Sequence, residues 1–231
     1  MLNFYDKKEV KKYVSKTDNP NYDLHHFDIP YRALCIAPSG SGKSNFICNL
    51  ISLFCKGRGT FDEIHIFCKS KDEALYRFLC DKSKGLIEVH EDLLKLKPIN
   101  EYKPHEQTLL IFDDLVTDLK THPVISELFI RGRKRGISSM FLSQSFYSTP
   151  KIIRQNVSYI IILKLGGSRD INSILRECSV GISKEELLYM YDTATKKKFD
   201  VLIINMEKSN EQRYRNNFLN YFKIYKKLKL M

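Results

Sequence analysis

The stretch 35-CIAPSGSGKSNFICNLI-51 decides how the rest of this chain is read. A short apolar run ends at Ala37, a loop of small residues follows, and a longer apolar run begins after Ser44. The pattern to test is G-x-x-x-x-G-K-[ST] between a strand and a helix. The frame Ala37-Pro38-Ser39-Gly40-Ser41-Gly42-Lys43-Ser44 meets it at Gly42, Lys43 and Ser44 and departs at its first position, where Ala37 replaces glycine. Gly40 and Gly42 allow backbone angles and close approach that a side chain blocks. The loop N–H groups and the N-terminus of the next helix then point at phosphate oxygens. Pro38, Ser39, Gly40, Ser41, Gly42, Lys43, Ser44 and Asn45 are therefore expected to cradle a polyphosphate. Lys43 should reach the β- and γ-phosphates, and the Ser44 hydroxyl should ligate Mg²⁺. The plain alternative is a chance Gly/Ser turn, and the strand-like and helix-like flanks argue against it.

A second motif supplies the other half of such a site. "TLLIFDDLV" (108–116) is a buried-strand pattern ending in two acids. Open α/β sheets bind ligands at the carboxyl edge of their strands. Asp113 is expected to hold Mg²⁺ there, directly or through water. Asp114 follows at the rim, placed to polarise an attacking water. Acids that merely cap the next turn are the alternative. Gln144 ends the apolar run "SSMFLSQ" and would orient the water or sense the γ-phosphate; otherwise it is a turn-capping amide.

"RGRKRG" gathers Arg131, Arg133, Lys134 and Arg135. Three readings stay open: an arginine finger reaching a neighbouring subunit's γ-phosphate, contacts to a nucleic-acid backbone, and a solvated basic turn. Arg154 faces either the nucleotide or solvent.

Strand patterns at 32–37, 61–69, 86–90, 108–116, 136–145, 158–165 and 198–206 alternate with helical patterns at 45–56, 72–82, 123–135, 149–156, 169–179 and 183–194. The strands are apolar throughout, which implies a mostly parallel central sheet with helices on both faces. The expected fold is α/β, of the phosphate-loop NTPase kind. Residues 1–30 are rich in turn formers and read as an extended N-terminal arm. Residues 31–206 form the nucleotide-binding domain.

Residues 207–231 form a basic, aromatic C-terminal tail or helix. From Met206 onward there are seven Lys/Arg, two Glu and five aromatic residues. This segment would dock on the body, on a partner, on a polyanion or on a membrane surface.

The 231 residues carry a formal net charge of +11. That surplus favours a polyanionic partner, most simply nucleic acid, over a merely solvated lysine-rich surface. Six cysteines are scattered with no CxxC pair. They read as buried free thiols of a reducing compartment, and the spacing offers no zinc site. His25 and His26 are adjacent, which suits a loop better than a metal cage. No secretory leader or membrane-length apolar run is visible, so a soluble intracellular protein is expected.

Together, "NPNYDLHHFDIPYRALCIAPSGSGKS", "LLIFDDLV", "LFIRGRKRGISSMFLSQSFYSTPKIIRQN" and "KLGGSRDINSIL" resemble the genome-packaging ATPases of large double-stranded DNA viruses, virophages and polinton-like elements. These belong to the FtsK/HerA class of ring-forming DNA pumps, and the resemblance spans roughly residues 20–180. It implies ATP as substrate with Mg²⁺, a homo-oligomeric ring (a pentamer or hexamer), and double-stranded DNA threaded through its centre. It also implies capsid vertex proteins as partners, no membrane, and a place in the virion or the host cytoplasm at the viral factory. By position, Lys43 and Ser44 match the phosphate-loop residues, Asp113 and Asp114 the acidic pair, Gln144 the sensor, and an arginine among Arg131, Arg133 and Arg135 the finger. A nucleotide kinase and a non-catalytic, nucleotide-gated assembly protein share the loop and remain the alternatives.

Overall fold

The computed structural model describes residues 2–12, 17–116 and 120–224. Among them one sheet is built from β1 (Arg32–Ile36), β2 (Glu63–Cys68), β3 (Ile87–His90), β4 (Thr108–Asp113), β5 (Ile137–Ser143), β6 (Tyr159–Ile162), β7 (Leu202–Asn205), β8 (Tyr214–Asn216) and β9 (Asn220–Tyr221). The order across the sheet is β3-β2-β4-β5-β1-β6-β7-β8-β9. From β3 to β6 every neighbouring pair is parallel; β7, β8 and β9 are added antiparallel.

Continuous apolar strands need cover on both sides. Every residue of β4 and β5 is buried. The cover comes from α1 (Lys43–Phe54), α2 (Ala74–Ser83), α3 (His122–Arg131), α4 (Lys151–Asn156), α5 (Ser168–Cys178) and α6 (Lys184–Ala194). Ala33, Cys35, Ile66 and Ile111 meet Phe46, Ile47 and Leu50 of α1 and Tyr76 and Leu79 of α2 on one face. Leu34, Ile36, Phe112 and Phe141 meet Ile125, Ile153, Ile174 and Leu187 of α3 to α6 on the other. Alternate residues of β1 thus feed opposite cores, as the two-residue period of a strand requires. The helix pattern at 183–194 begins at a capping box, with the Ser183 hydroxyl on the Glu186 N–H and the Glu186 carboxylate on the Ser183 N–H.

Two expectations change at the chain ends. The segment 17–31 lies on the core but is not simply extended, since Tyr22–His25 makes a turn of helix. Asn21 anchors it by donating to the carbonyls of Phe54 and Lys56.

The segment read as a tail or helix from 207 instead completes the sheet through β8 and β9. Without them the apolar strand β7 would be an unpaired edge, a liability that folds avoid. The Arg215 guanidinium is buried there. It donates to the carbonyls of His25 and Phe218 and sits 4.9 Å over the Phe27 ring, tying the last strands to the N-terminal segment. Residues 225–231 of the expected tail lie outside the described residues.

The six cysteines are free thiols, three of them buried. Burial pushes the thiols of Cys35 and Cys178 up to about 12. They are packing groups rather than nucleophiles.

Candidate active site

The phosphate loop leaves the buried end of β1 and enters α1. Its turn closes locally: the Ser41 N–H and hydroxyl both donate to the Pro38 carbonyl, at 3.1 and 2.6 Å. Gly40 and Gly42 have φ of +73° and +101°, the region where a side chain is strained. Ala37 has no positive φ, lies fully buried and bonds its N–H to the Ser143 carbonyl. The first position of this loop therefore does not need glycine. A Cβ on Gly42 would run into the Phe199 ring, which lies against the loop from the turn that precedes β7. The first turn of α1 carries no acid, so its N–H groups and positive dipole end remain available to an anion.

The carboxyl edge of the sheet gathers the expected partners. The Lys43 ammonium lies 2.7 Å from Asp113 Oδ1, with the two side chains only 15% and 8% exposed. The Tyr76 hydroxyl donates to Asp113 Oδ2 at 2.6 Å. Burial, then the charge and hydrogen bond of Asp113, hold the Tyr76 proton far more tightly than an ordinary phenol. Tyr76 is thus a permanent donor that fixes the carboxylate.

Asp114 has a left-handed φ of +57°, a conformation aspartate tolerates better than most residues. Its Oδ2 receives the Gln144 amide at 3.0 Å and faces the Lys69 ammonium at 3.8 Å. Gln144 can stand there because Asp113 pairs with Leu142 across β4 and β5, which brings the two strand ends together. A cleft of about 670 Å³ runs from the loop past Cys68–Ser70 and Glu73 to Asp113, Asp114 and Gln144.

The structure thus brings Lys43, Ser44, Asp113, Asp114 and Gln144 to one site and adds Tyr76 and Lys69. Sequence reasoning missed both. Tyr76 reads only as one apolar position of a helix. Lys69 is a lone lysine after a strand, and its place beside Asp114 follows from the β2–β4 register.

The basic turn is elsewhere. Gly132–Arg135 precedes β5, at the amino edge of the sheet where β4 begins, roughly 17 Å of strand from Asp113. Arg131 is paired with Glu127, and Arg133 with Glu207. Neither approaches the phosphate loop of its own chain. Arg154 is also committed, to Glu177 and the face of Phe146. Arg169, at the start of α5, stacks its guanidinium 3.7 Å over the ring of Tyr147, three residues after Gln144.

Ser44 and Asp113 suit Mg²⁺. Both offer hard oxygen donors, and the Asp113 carboxylate already holds a positive charge at 2.7 Å.

Solved structures share this architecture. The DNA-packaging ATPase B204 from Sulfolobus Turreted Icosahedral Virus aligns with a TM-score of 0.60 at 19% identity, over 83% of this chain and 98% of that one. The genome packaging NTPase B204 from Sulfolobus turreted icosahedral virus 2, in complex with ATP-gammaS, aligns at 0.56 and 16% identity over 83% and 98%. The cytoplasmic domain of the Type VII secretion ATPase EccC of Thermomonospora curvata aligns at 0.54 and 12% identity, over 83% of this chain and 25% of that one. No curated protein sequence matches. The family profile described as Poxvirus A32 protein matches residues 23–218, and the chain belongs to that family.

Proposed function

We propose that this protein is an ATP-hydrolysing motor that translocates double-stranded DNA and packages a viral genome into a preformed capsid. The observation that carries the reading is the Lys43–Asp113 contact at 2.7 Å, with Gln144 on Asp114 beside it. A loop cation, a buried strand-end acid, a second acid at the rim and an amide sensor are the parts that phosphoanhydride hydrolysis needs, and they face one cleft. The ATP-analogue complex of a B204 protein supports nucleotide binding by this fold.

The chain's own residues divide the work. Without nucleotide, Lys43 rests on Asp113. A triphosphate entering the loop gives the ammonium a stronger partner, and Lys43 turns to the β- and γ-phosphates. Ser44 and Asp113 would hold Mg²⁺, which neutralises charge on the phosphate oxygens. Tyr76 keeps the Asp113 carboxylate in place. Asp114 accepts a hydrogen bond from the attacking water and polarises it in line with the leaving oxygen. Gln144, bonded to Asp114, registers whether the γ-phosphate is present and passes that to β5.

The proposed assembly is a ring of copies, a pentamer or hexamer, in which an arginine from the turn 131–135 of one subunit completes its neighbour's site. The DNA would run through the centre, gripped through its backbone by basic side chains. The capsid vertex is the proposed docking partner, with the virion or host cytoplasm as the place of action. Among the described residues no helix is long and apolar enough to cross a membrane.

ATP turnover measured with and without long duplex DNA tests this reading. The motor predicts stimulation by long duplexes that fades with salt, with log affinity falling by about 0.9 per neutralised phosphate for each decade of salt. Stimulation by a small acceptor instead would identify a kinase. Binding without turnover in either condition would identify a nucleotide-gated assembly protein.

A further inference from the structure

Away from the nucleotide cleft, three side chains on the outer strands β2 and β3 converge on one point. His65 pairs in register with Glu88, and Phe67 with His90. Residues in register share a face, as do residues two apart on a strand. His65, Glu88 and His90 therefore project to the same side. His65 Nδ1 and His90 Nε2 lie 3.1 Å apart. Glu88 Oε2 is 3.5 Å from the same His90 nitrogen and 3.8 Å from the same His65 nitrogen. The point equidistant from these three atoms is about 2.0 Å from each, the length of a Zn–N or Zn–O bond. The two imidazole centroids are 5.3 Å apart, close to the roughly 5 Å that a tetrahedral ion sets between two of its rings.

The surroundings agree. The other nitrogen of His65, Nε2, lies 3.3 Å from Glu63 Oε2, which Lys97 also holds at 3.2 Å. A carboxylate in that position fixes the imidazole tautomer and leaves Nδ1 with its lone pair free for a metal. The two imidazoles are largely covered, while Glu88 is 60% exposed. A fourth position thus opens toward solvent. Two imidazoles and one carboxylate suit Zn²⁺, whereas Mg²⁺ prefers oxygen alone.

We propose that His65, Glu88 and His90 form a Zn²⁺ site, separate from the nucleotide site, that staples the edge strand β3 to β2. Spacing along the chain gave no zinc motif because strand pairing, not a short loop, assembles these ligands. In the metal-free chain a hydrogen bond between His65 Nδ1 and His90 Nε2 takes the ion's place, and metal uptake leaves each imidazole with its one N–H on the nitrogen that does not bind.

The test uses the full chain, stripped with a chelator, loaded with Zn²⁺ without nucleotide, desalted and assayed for metal. One zinc per chain is expected. Co²⁺ in its place should give the visible absorption of a four-coordinate ion. Glu63→Gln should weaken zinc 10–100-fold. His90→Ala should abolish uptake, and Glu88→Gln, changed at an exposed position that leaves the core untouched, should weaken it at least 10-fold. Ser44→Ala, which alters only the nucleotide site, should keep full uptake. The proposal is overturned if the wild-type chain retains no zinc, or if Glu88→Gln and His90→Ala retain it as the wild type does.

Discussion

Residue identity acts most sharply at Gly42 and Asp113. At Gly42 a methyl group meets two penalties at once, the left-handed φ of +101° and the Phe199 ring. Gly42→Ala should lose ATP binding and cost about 1–3 kcal/mol of stability. Adding Phe199→Ala removes the overlap but not the backbone strain, so thermal denaturation of the double variant should show partial recovery only. Asp113 is buried, with its charge satisfied by Lys43 and Tyr76. Tyr76→Phe leaves Oδ2 without its donor, and about 1.5–3 kcal/mol should be lost in a urea titration. Lys43→Ala should lower kcat/KM about 10²–10³-fold in steady-state ATPase assays, since it removes a donor to charge that develops on the phosphates. The loop and both acids are readable in the sequence because their chemistry is local: glycines where φ is positive, acids where a buried strand stops. Tyr76 was not readable, since its partner lies 37 residues away and its own helix shows only an apolar stripe.

Elements assembled as their periodicity dictates until the chain reached residue 207. The seven expected strands from 32 to 206 and the six helices lie where the alternation of apolar runs put them. The C-terminal segment misled because its aromatics and cations interleave as on an amphipathic helix, while its short strands β8 and β9 hold only five residues between them. What makes them strands is tertiary, the open edge of β7 and the burial of Arg215 against the N-terminal segment. Deleting residues 207–231 should therefore aggregate the protein in size-exclusion chromatography, where a detachable DNA-binding tail would leave a soluble body with weakened DNA binding.

The same clasp gives a pH signature. Burial, and then the Arg215 charge, push the His25 imidazole down to about 3, against 6.5 when unfolded. The unfolded chain therefore binds a proton that the folded one refuses. Stability present above pH 6.5 is lost as pH falls toward 3, by up to about 1.4 kcal/mol per pH unit. Denaturation midpoints measured from pH 7 to 5 should fall, and His25→Gln should flatten the slope by one proton.

The whole molecule presents the proposed catalytic groups on one edge of the sheet and its basic turn on the other. Such a separation is what the proposed ring requires, because an arginine out of reach of its own nucleotide is free to serve a neighbour's. The three expected finger candidates are not equivalent. Arg131 and Arg133 would each have to leave a carboxylate, Glu127 or Glu207, whereas Arg135 has no ion pair among the described residues. An arginine without a competing partner loses least on moving to a phosphate, so Arg135 is the expected finger. In mixtures of wild-type and variant chains, Arg135→Ala should depress ATP turnover faster than its mole fraction, because each altered subunit silences a neighbour's intact site. Arg131→Ala should fall in proportion. A finger of this kind contributes roughly 10³–10⁵ in rate, so the curvature would be plain at small fractions of variant. Strict proportionality for Arg135→Ala combined with curvature for Arg169→Ala would move the finger to the catalytic edge. Adjacent subunits would then meet edge to edge through the start of α5.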